Sequence, residues 1–192
     1  MSNDPENVTG SATGSYAIHF ATSVQLRHWG QLPEDHPIFP IVGRVASGWA
    51  HLEHVLDLII WKLAETNDIH GACITSAIMG AASRYDVIKA LATVRNLSKE
   101  TIDKINSQKN AIYEPQERRN RIIHDPWYID KKTAEVAQFK SMPRKDLRYG
   151  IKLVDADYID KTLKMIDERF TEADKLRARI LDELAASQEK QP

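Results

Sequence analysis

The stretch "ERRNRIIHDPWY", Glu117 to Tyr128, gathers side chains that can handle a phosphodiester. Three arginines and an asparagine crowd one helical turn, and two isoleucines then lead to His124. On a helix, Asn120 and His124 are i and i+4 and share a face. Arg119 lies five positions before the histidine, about 140° round the axis, and its long side chain can swing back towards that face. A guanidinium grips phosphate oxygens bidentately and stays charged through a pentacoordinate transition state. Imidazole is the side chain that moves protons near neutral pH. Asn120 can orient the imidazole or bond a substrate oxygen. Ile122 and Ile123 supply the apolar positions that hold this turn against a core.

The surroundings of the motif are basic although the chain is not. Net charge is −1 overall, which gives no global field for nucleic acid. Between Arg118 and Lys152, however, ten Lys/Arg face four acids, a net charge of +6 that leaves −7 for the remainder. Two readings are open: a solvated, lysine-rich hairpin, or a phosphate-facing patch beside the motif.

Length and composition bound what these residues can belong to. A chain of 192 residues, 42% hydrophobic and 28% charged, reads as one soluble globular domain with extra sequence at its ends. No apolar run approaches the length that spans a bilayer. The start, "MSNDPENVTGSATGS", lacks the basic and apolar segments of a signal peptide, so the expected location is the cytoplasm and no membrane partner is expected. The single Cys73 excludes an internal disulfide and a cysteine-based zinc site, and its setting in "ACITSAIM" suggests a small buried thiol. No phosphate-cradling glycine loop, nucleophile elbow or paired-carboxylate pattern is present, so nucleoside triphosphate hydrolysis, serine hydrolase and glycosidase chemistry have no basis.

The elements that must position the motif are mostly helical. Residues 1–40 carry Gly, Ser, Asn and four prolines and read as a flexible leader followed by an extended arm. From Ile41, the spacing of Val45, Trp49, Leu52, Leu56, Ile59 and Leu63 predicts a helix, widened by Val55, Leu58 and Ile60 and stopped near Asn67 and Gly71. Ser83, with Asp86 three residues on, predicts the cap of another helix, whose inward positions are Tyr85, Ile88, Leu91 and Val94. "LSKET" opens a further stretch with Ile102, Ile105 and Ile112 inward. At Pro115 either a new helix starts or a kinked one continues. Asp125-Pro126 ends it. "PWYID", "TAEVAQFKS" and "LRYGIKLVD" read as strands of an antiparallel hairpin or meander over 127–154. Ile159, Leu163, Ile166, Phe170, Ala173, Ile180 and Leu184 predict a last helix of about 28 residues. The expected class is therefore mainly α: a bundle of four to five helices with a small β-hairpin inserted before the C-terminal helix.

"RNRIIH", with the form Arg-Asn-x-x-x-His near a helix end in a helical bundle, resembles the HEPN superfamily. The likeness covers 41–187 as architecture, with 127–154 as the inserted hairpin and 188–192 as a tail, and six residues as motif. It implies a metal-independent endoribonuclease without cofactor, in which two copies face both motifs into one cleft. Carried over, Arg119 stabilises the phosphorane, His124 is acid or base and Asn120 supports them. Arg118, Arg121, Lys131 and Lys132 would bind the RNA. Many members are toxins or antiviral effectors, so a homodimer with an antitoxin or regulatory protein as partner is expected. Some toxin members carry a modified Tyr two residues after the His; that position is Pro126 here, and Tyr128 is too far displaced. Related inactive domains imply the alternative, a non-catalytic scaffold that binds nucleic acid, nucleotide or a protein.

"HLEHVLD" is the other cluster. His51, His54 and Asp57 fall at i, i+3 and i+6, but a metal would need a ligand such as His70 from elsewhere, and the spacing matches no zinc signature. These residues read instead as the less buried side of the first helix, from which Glu53 or His54 can line an RNA cleft. Trp49, Trp61 and Trp127 read as core or dimer-interface anchors.

Overall fold

The computed structural model describes residues 28–142 and 148–188. The expected leader before residue 28, Arg144 and Lys145 of the basic window, and the tail from residue 189 lie outside the described residues. Among the described residues the chain is mainly helical, with five helices and a four-stranded antiparallel sheet whose first strand precedes the first helix and whose other three lie directly before the last. The described residues divide into two units, 28–32 with 126–142 and 148–154, and 33–125 with 155–188.

In the helical unit, α1 (Ile38–Leu63) is the central element, packing on the other four helices. Its expected apolar stripe is buried in full: Val45, Trp49, Leu52, Leu56, Ile59 and Leu63 are each at most 2% exposed. Each Leu or Ile so buried contributes roughly 1.5–3 kcal/mol. The helix begins three residues earlier than the sequence suggests. Pro40 falls in its first turn, where a missing N–H costs nothing, so "HPIFP" is a helix start and not an arm.

The residues read as stop signals for α1 begin the next helix. Asn67 caps α2 (Asp68–Thr75), its side chain accepting from the backbone N–H of His70 at 2.9 Å. Gly71 lies inside α2, and its lack of a side chain admits the Trp61 ring, since a Cβ there would stand 2.5 Å from it. The indole N–H of Trp61 donates to Thr75 across the same contact at 3.1 Å. Cys73, expected to be buried, is exposed, since α2 is one short helix touching α1 along a single side.

Helix α3 (Gly80–Val94) starts before Ser83, which sits exposed inside it. Its first turn is tied down by Arg84, which donates to the carbonyls of Ile78 at 2.9 Å and Gly80 at 3.3 Å. Arg84 also pairs with Asp57 at 2.7 Å and Glu53 at 3.7 Å, so these two acids of the "HLEHVLD" cluster clamp α1 to α3. His51 and His54 are exposed, and among the described residues no three His, Cys, Asp or Glu are grouped to hold a metal ion. Val94, expected inward, is 75% exposed, and Ala92 fills the core instead.

Helix α4 (Lys99–His124) is continuous through Pro115, which settles the two alternatives at that proline. Ser98 caps it, and Glu183 of α5 (Ala156–Gln188) reinforces the cap by accepting from the Ser98 N–H at 2.9 Å and hydroxyl at 2.8 Å. Ile105, Ile112 and Ile122 are buried, as are Ile159, Ile166, Ala173 and Ile180 of α5. Phe170, placed inward by its spacing, is 38% exposed. No helix among the described residues is long and apolar enough to cross a membrane.

In the other unit, β1 (Trp29–Gln31), β2 (Trp127–Asp130), β3 (Val136–Met142) and β4 (Arg148–Leu153) form an antiparallel sheet in the order β1-β2-β3-β4. Trp127 pairs with Gln138, and Gln138 with Lys152. The last three strands are the expected meander. The first comes from the presumed arm, with Gly30 opposite Ile129. Three residues are too short for the alternation that reveals a strand, which hid this one in the sequence.

Candidate functional site

The motif occupies the last turns of α4, where Ile122, fully buried, fixes the rotation of the helix. That rotation separates the two residues expected to do chemistry. Arg119 is half-buried and turned towards α1, with its guanidinium carbon 5.8 Å from the centre of the Trp49 ring. His124 is exposed at the helix end. The separation of about 140° anticipated from helix geometry is thus used to place one side chain against the core and the other in solvent.

Asn120 accepts from Nη1 of Arg119 at 2.9 Å. It therefore orients the arginine, one of the roles left to it by sequence being that of orienting the imidazole. Nε of Arg119 is buried with no hydrogen-bond partner, and so is Oε1 of Gln116, one turn earlier on the same helix. No carboxylate among the described residues pairs with Arg119. This half-buried guanidinium is not neutralised by an ion pair inside the fold.

The flanking arginines are engaged differently. Arg118 donates from Nε and Nη2 to one carboxylate oxygen of Glu114, at 3.0 and 2.9 Å, and its guanidinium lies 5.1 Å over the ring of Tyr158. Arg121 pairs with Asp125 at 3.4 Å, and the other carboxylate oxygen of Asp125 is buried without a partner. Burial pushes the Tyr158 hydroxyl above the usual phenol range, with Arg118 pulling it back and Glu117 and Asp125 adding to the rise. Lys131 and Lys132 are exposed in the sheet unit, at the turn after β2, where Asp130 accepts from the N–H of Lys132 at 2.7 Å.

Of the seven residues singled out in the sequence, Arg119 and Asn120 are joined directly, while Arg118 and Arg121 each bind an acid one turn away. Gln116 and Tyr158 were not anticipated, and Trp49 was expected as a core or dimer-interface anchor and not beside Arg119. Gln116 precedes Asn120 by four residues, a spacing visible in the sequence. Nothing local marks Trp49 or Tyr158, which reach the site from α1 and α5.

The arrangement offers an unneutralised cation on the last turns of α4, an exposed imidazole five residues on, and the Asn120 amide between. Guanidinium and imidazole are groups that bind phosphate and exchange protons, and here they lie on different sides of the helix. Comparison of the chain with protein-family models, with curated proteins and with solved structures finds no match.

Proposed function

We propose that the chain is a metal-independent endoribonuclease of HEPN type, working as a cytoplasmic homodimer in which two copies of the α4 end face one RNA strand. The observation that carries this reading is Arg119: a guanidinium without a carboxylate partner among the described residues, braced by Asn120 and Trp49, five positions before the exposed His124. Its charge is available to the non-bridging oxygens of a phosphodiester. In the reaction the ribose 2′-hydroxyl loses its proton to an imidazole and attacks the adjacent phosphorus. The 5′-oxygen leaves with a proton, and a 2′,3′-cyclic phosphate and a 5′-hydroxyl result. Histidine serves as acid or base for both transfers, and Arg119 holds the charge of the pentacoordinate state. In the sheet unit Lys131 and Lys132 supply exposed charge suited to RNA, and in the helical unit Arg118 and Arg121 contribute what their acid partners leave. A role in bacterial defence or as a toxin restrained by an antitoxin fits such an activity.

A second reading is a non-catalytic scaffold of the same type that binds nucleic acid, nucleotide or a protein. It is favoured by the ion pairs of Arg118 with Glu114 and of Arg121 with Asp125, which spend two of the three arginines inside the fold.

The test is cleavage of a labelled structured RNA in EDTA by the purified protein beside Arg119→Ala and His124→Ala. Cutting that leaves 2′,3′-cyclic phosphate ends and is lost in both variants is the expected result. A folded, dimeric wild type with no activity above the variants would favour the scaffold.

A further inference from the structure

We propose that the outer face of α2, continued through the turn to α3, is the surface on which a second copy of this chain docks about a two-fold axis. The proposal rests on the ribonuclease reading for nothing but the dimer, and it names the surface which that reading leaves open. Between Ile69 and Ser83 the sequence has no Asp, Glu, Lys or Arg. At the chain's own frequency of 28% these fifteen residues would carry about four, which is also what a solvated surface holds. The stretch is nevertheless largely surface. Nine of its fifteen residues are exposed, among them Ile69 at 76%, Ile74 at 52% and Met79 at 85%.

The packing of α2 explains why the face is open. Gly71 and Thr75, i and i+4, are its buried positions and lie against Trp61 of α1. Ile69 and Cys73, also i and i+4, fall about 160° round the axis from them and point the other way. The polar groups nearby are already satisfied within the fold. Ser76 donates its hydroxyl to the Cys73 carbonyl at 2.8 Å, Thr75 donates to that of Gly71 at 3.0 Å, and Asn67 accepts from the His70 N–H at 2.9 Å. Covering this face therefore removes apolar surface from water without stranding these groups.

Charge selects a second copy as the occupant. Across a two-fold axis the same patch meets itself, so any charge near its centre stands close to its own like charge. A patch without charge is free of that repulsion, whereas a charged partner finds nothing on it to pair with. Cys73, at the middle of the outer face, then comes within the contact whichever way the two copies of α2 run. The stretch also reaches α4: a Cβ on Gly80 would stand 3.9 Å from the Gln116 amide nitrogen, and Gln116 is one turn before Asn120. The docking surface thus adjoins the helix whose ends the ribonuclease reading brings to one strand.

The test is sedimentation velocity of the full chain beside Ile69→Asp and Ile69→Lys, with thermal melting as the check on folding. The wild type should sediment as a dimer. Either charge, whatever its sign, should weaken self-association by roughly 100-fold or more while the Tm holds, because Ile69 is 76% exposed in the single chain. Val94→Asp, at an apolar residue 75% exposed at the end of α3, should leave the dimer intact. Reaction of Cys73 with a thiol reagent should slow as the wild-type concentration rises and stay constant in Ile69→Asp. A dimer that survives both substitutions at Ile69 uses another surface and overturns the proposal, while the ribonuclease reading stands. A wild type that is monomeric at every concentration overturns the proposal and the dimeric site together. Loss of the dimer in both variants of a chain that cuts no RNA upholds the docking surface and leaves the ribonuclease reading to fall alone.

Discussion

Nη1 of Arg119 and Oδ1 of Asn120, neighbours in sequence, are joined by a hydrogen bond of 2.9 Å at the end of α4. Adjacent residues on a helix normally point about 100° apart, so the bond requires the arginine to fold back along the helix. It does so over Trp49, and the asparagine holds it there without neutralising it. An amide at position 120 orients a cation; a carboxylate would quench it.

That distinction gives the first prediction. Asn120→Ala should lower kcat/KM for RNA by about 10- to 100-fold, the rate equivalent of ~1.5–3 kcal/mol for a lost hydrogen bond to a charged group. Asn120→Asp should lower it further while the Tm holds or rises, because Arg119 then gains a partner inside the fold. Equal activity in the two variants would mean that the charge state of Arg119 does not matter. Cleavage rates and thermal melts on the same preparations decide this.

Glu183 predicts how stability responds to acid. Burial raises the affinity of its carboxyl for a proton, but bonds from Thr101 and from the backbone and hydroxyl of Ser98, together with Arg179, outweigh that and hold it below the usual glutamate range. A group whose folded pKa is depressed contributes stability above its unfolded pKa and loses it as pH falls through the folded one. The Tm should therefore drop as pH falls below the ordinary glutamate range, and Glu183→Gln should flatten that part of the curve. An unchanged profile in the variant would place the acid sensitivity elsewhere.

Arg84 is a buried charge of the helical unit. Its side chain is 10% exposed and binds Asp57 at 2.7 Å as well as two carbonyls of the turn before α3. Arg84→Met removes one partner of a buried pair and should cost about 3–5 kcal/mol in urea unfolding. Combining it with Asp57→Leu should recover part of that loss, since the acid is no longer stranded. A loss near zero for the single variant would show the clamp to be decorative.

Cys73 is exposed on α2, so a thiol reagent should titrate it in the native protein without denaturant. Reaction only after unfolding would restore the buried reading that its apolar neighbours suggest.

The long helices were legible because their apolar residues recur over many turns. Val45, Trp49, Leu52, Leu56, Ile59 and Leu63, and Ile159, Ile166, Ala173 and Ile180, bury as their spacing demands, while Phe170 does not. Local signals were less faithful: Asn67 is a helix start that looks like a stop, and Ser83 looks like a cap but lies within α3, whose first turn is tied by Arg84. At the site, the helix and its residues were readable, and the i,i+4 pairs Glu114–Arg118 and Arg121–Asp125 stood in the sequence for any reader of charge spacing. The contacts of Arg119 with Trp49 and of Arg118 with Tyr158 were not readable, because they depend on how α1 and α5 pack on α4, and no local pattern encodes that.

Pro115 lies within α4 between the Ser98 cap and the His124 end. Proline has no N–H, so the carbonyl of Ala111 loses its partner and the ladder of hydrogen bonds restarts beyond it. In amide exchange, the helix should therefore behave as two lengths of different protection. The earlier part is fastened to α5 through Glu183 and the later part through Arg118 over Tyr158, and the final turns can open without unwinding what precedes them. The residues proposed for RNA chemistry sit in the length that can adjust, and the proline, itself buried, anchors the point from which it does so.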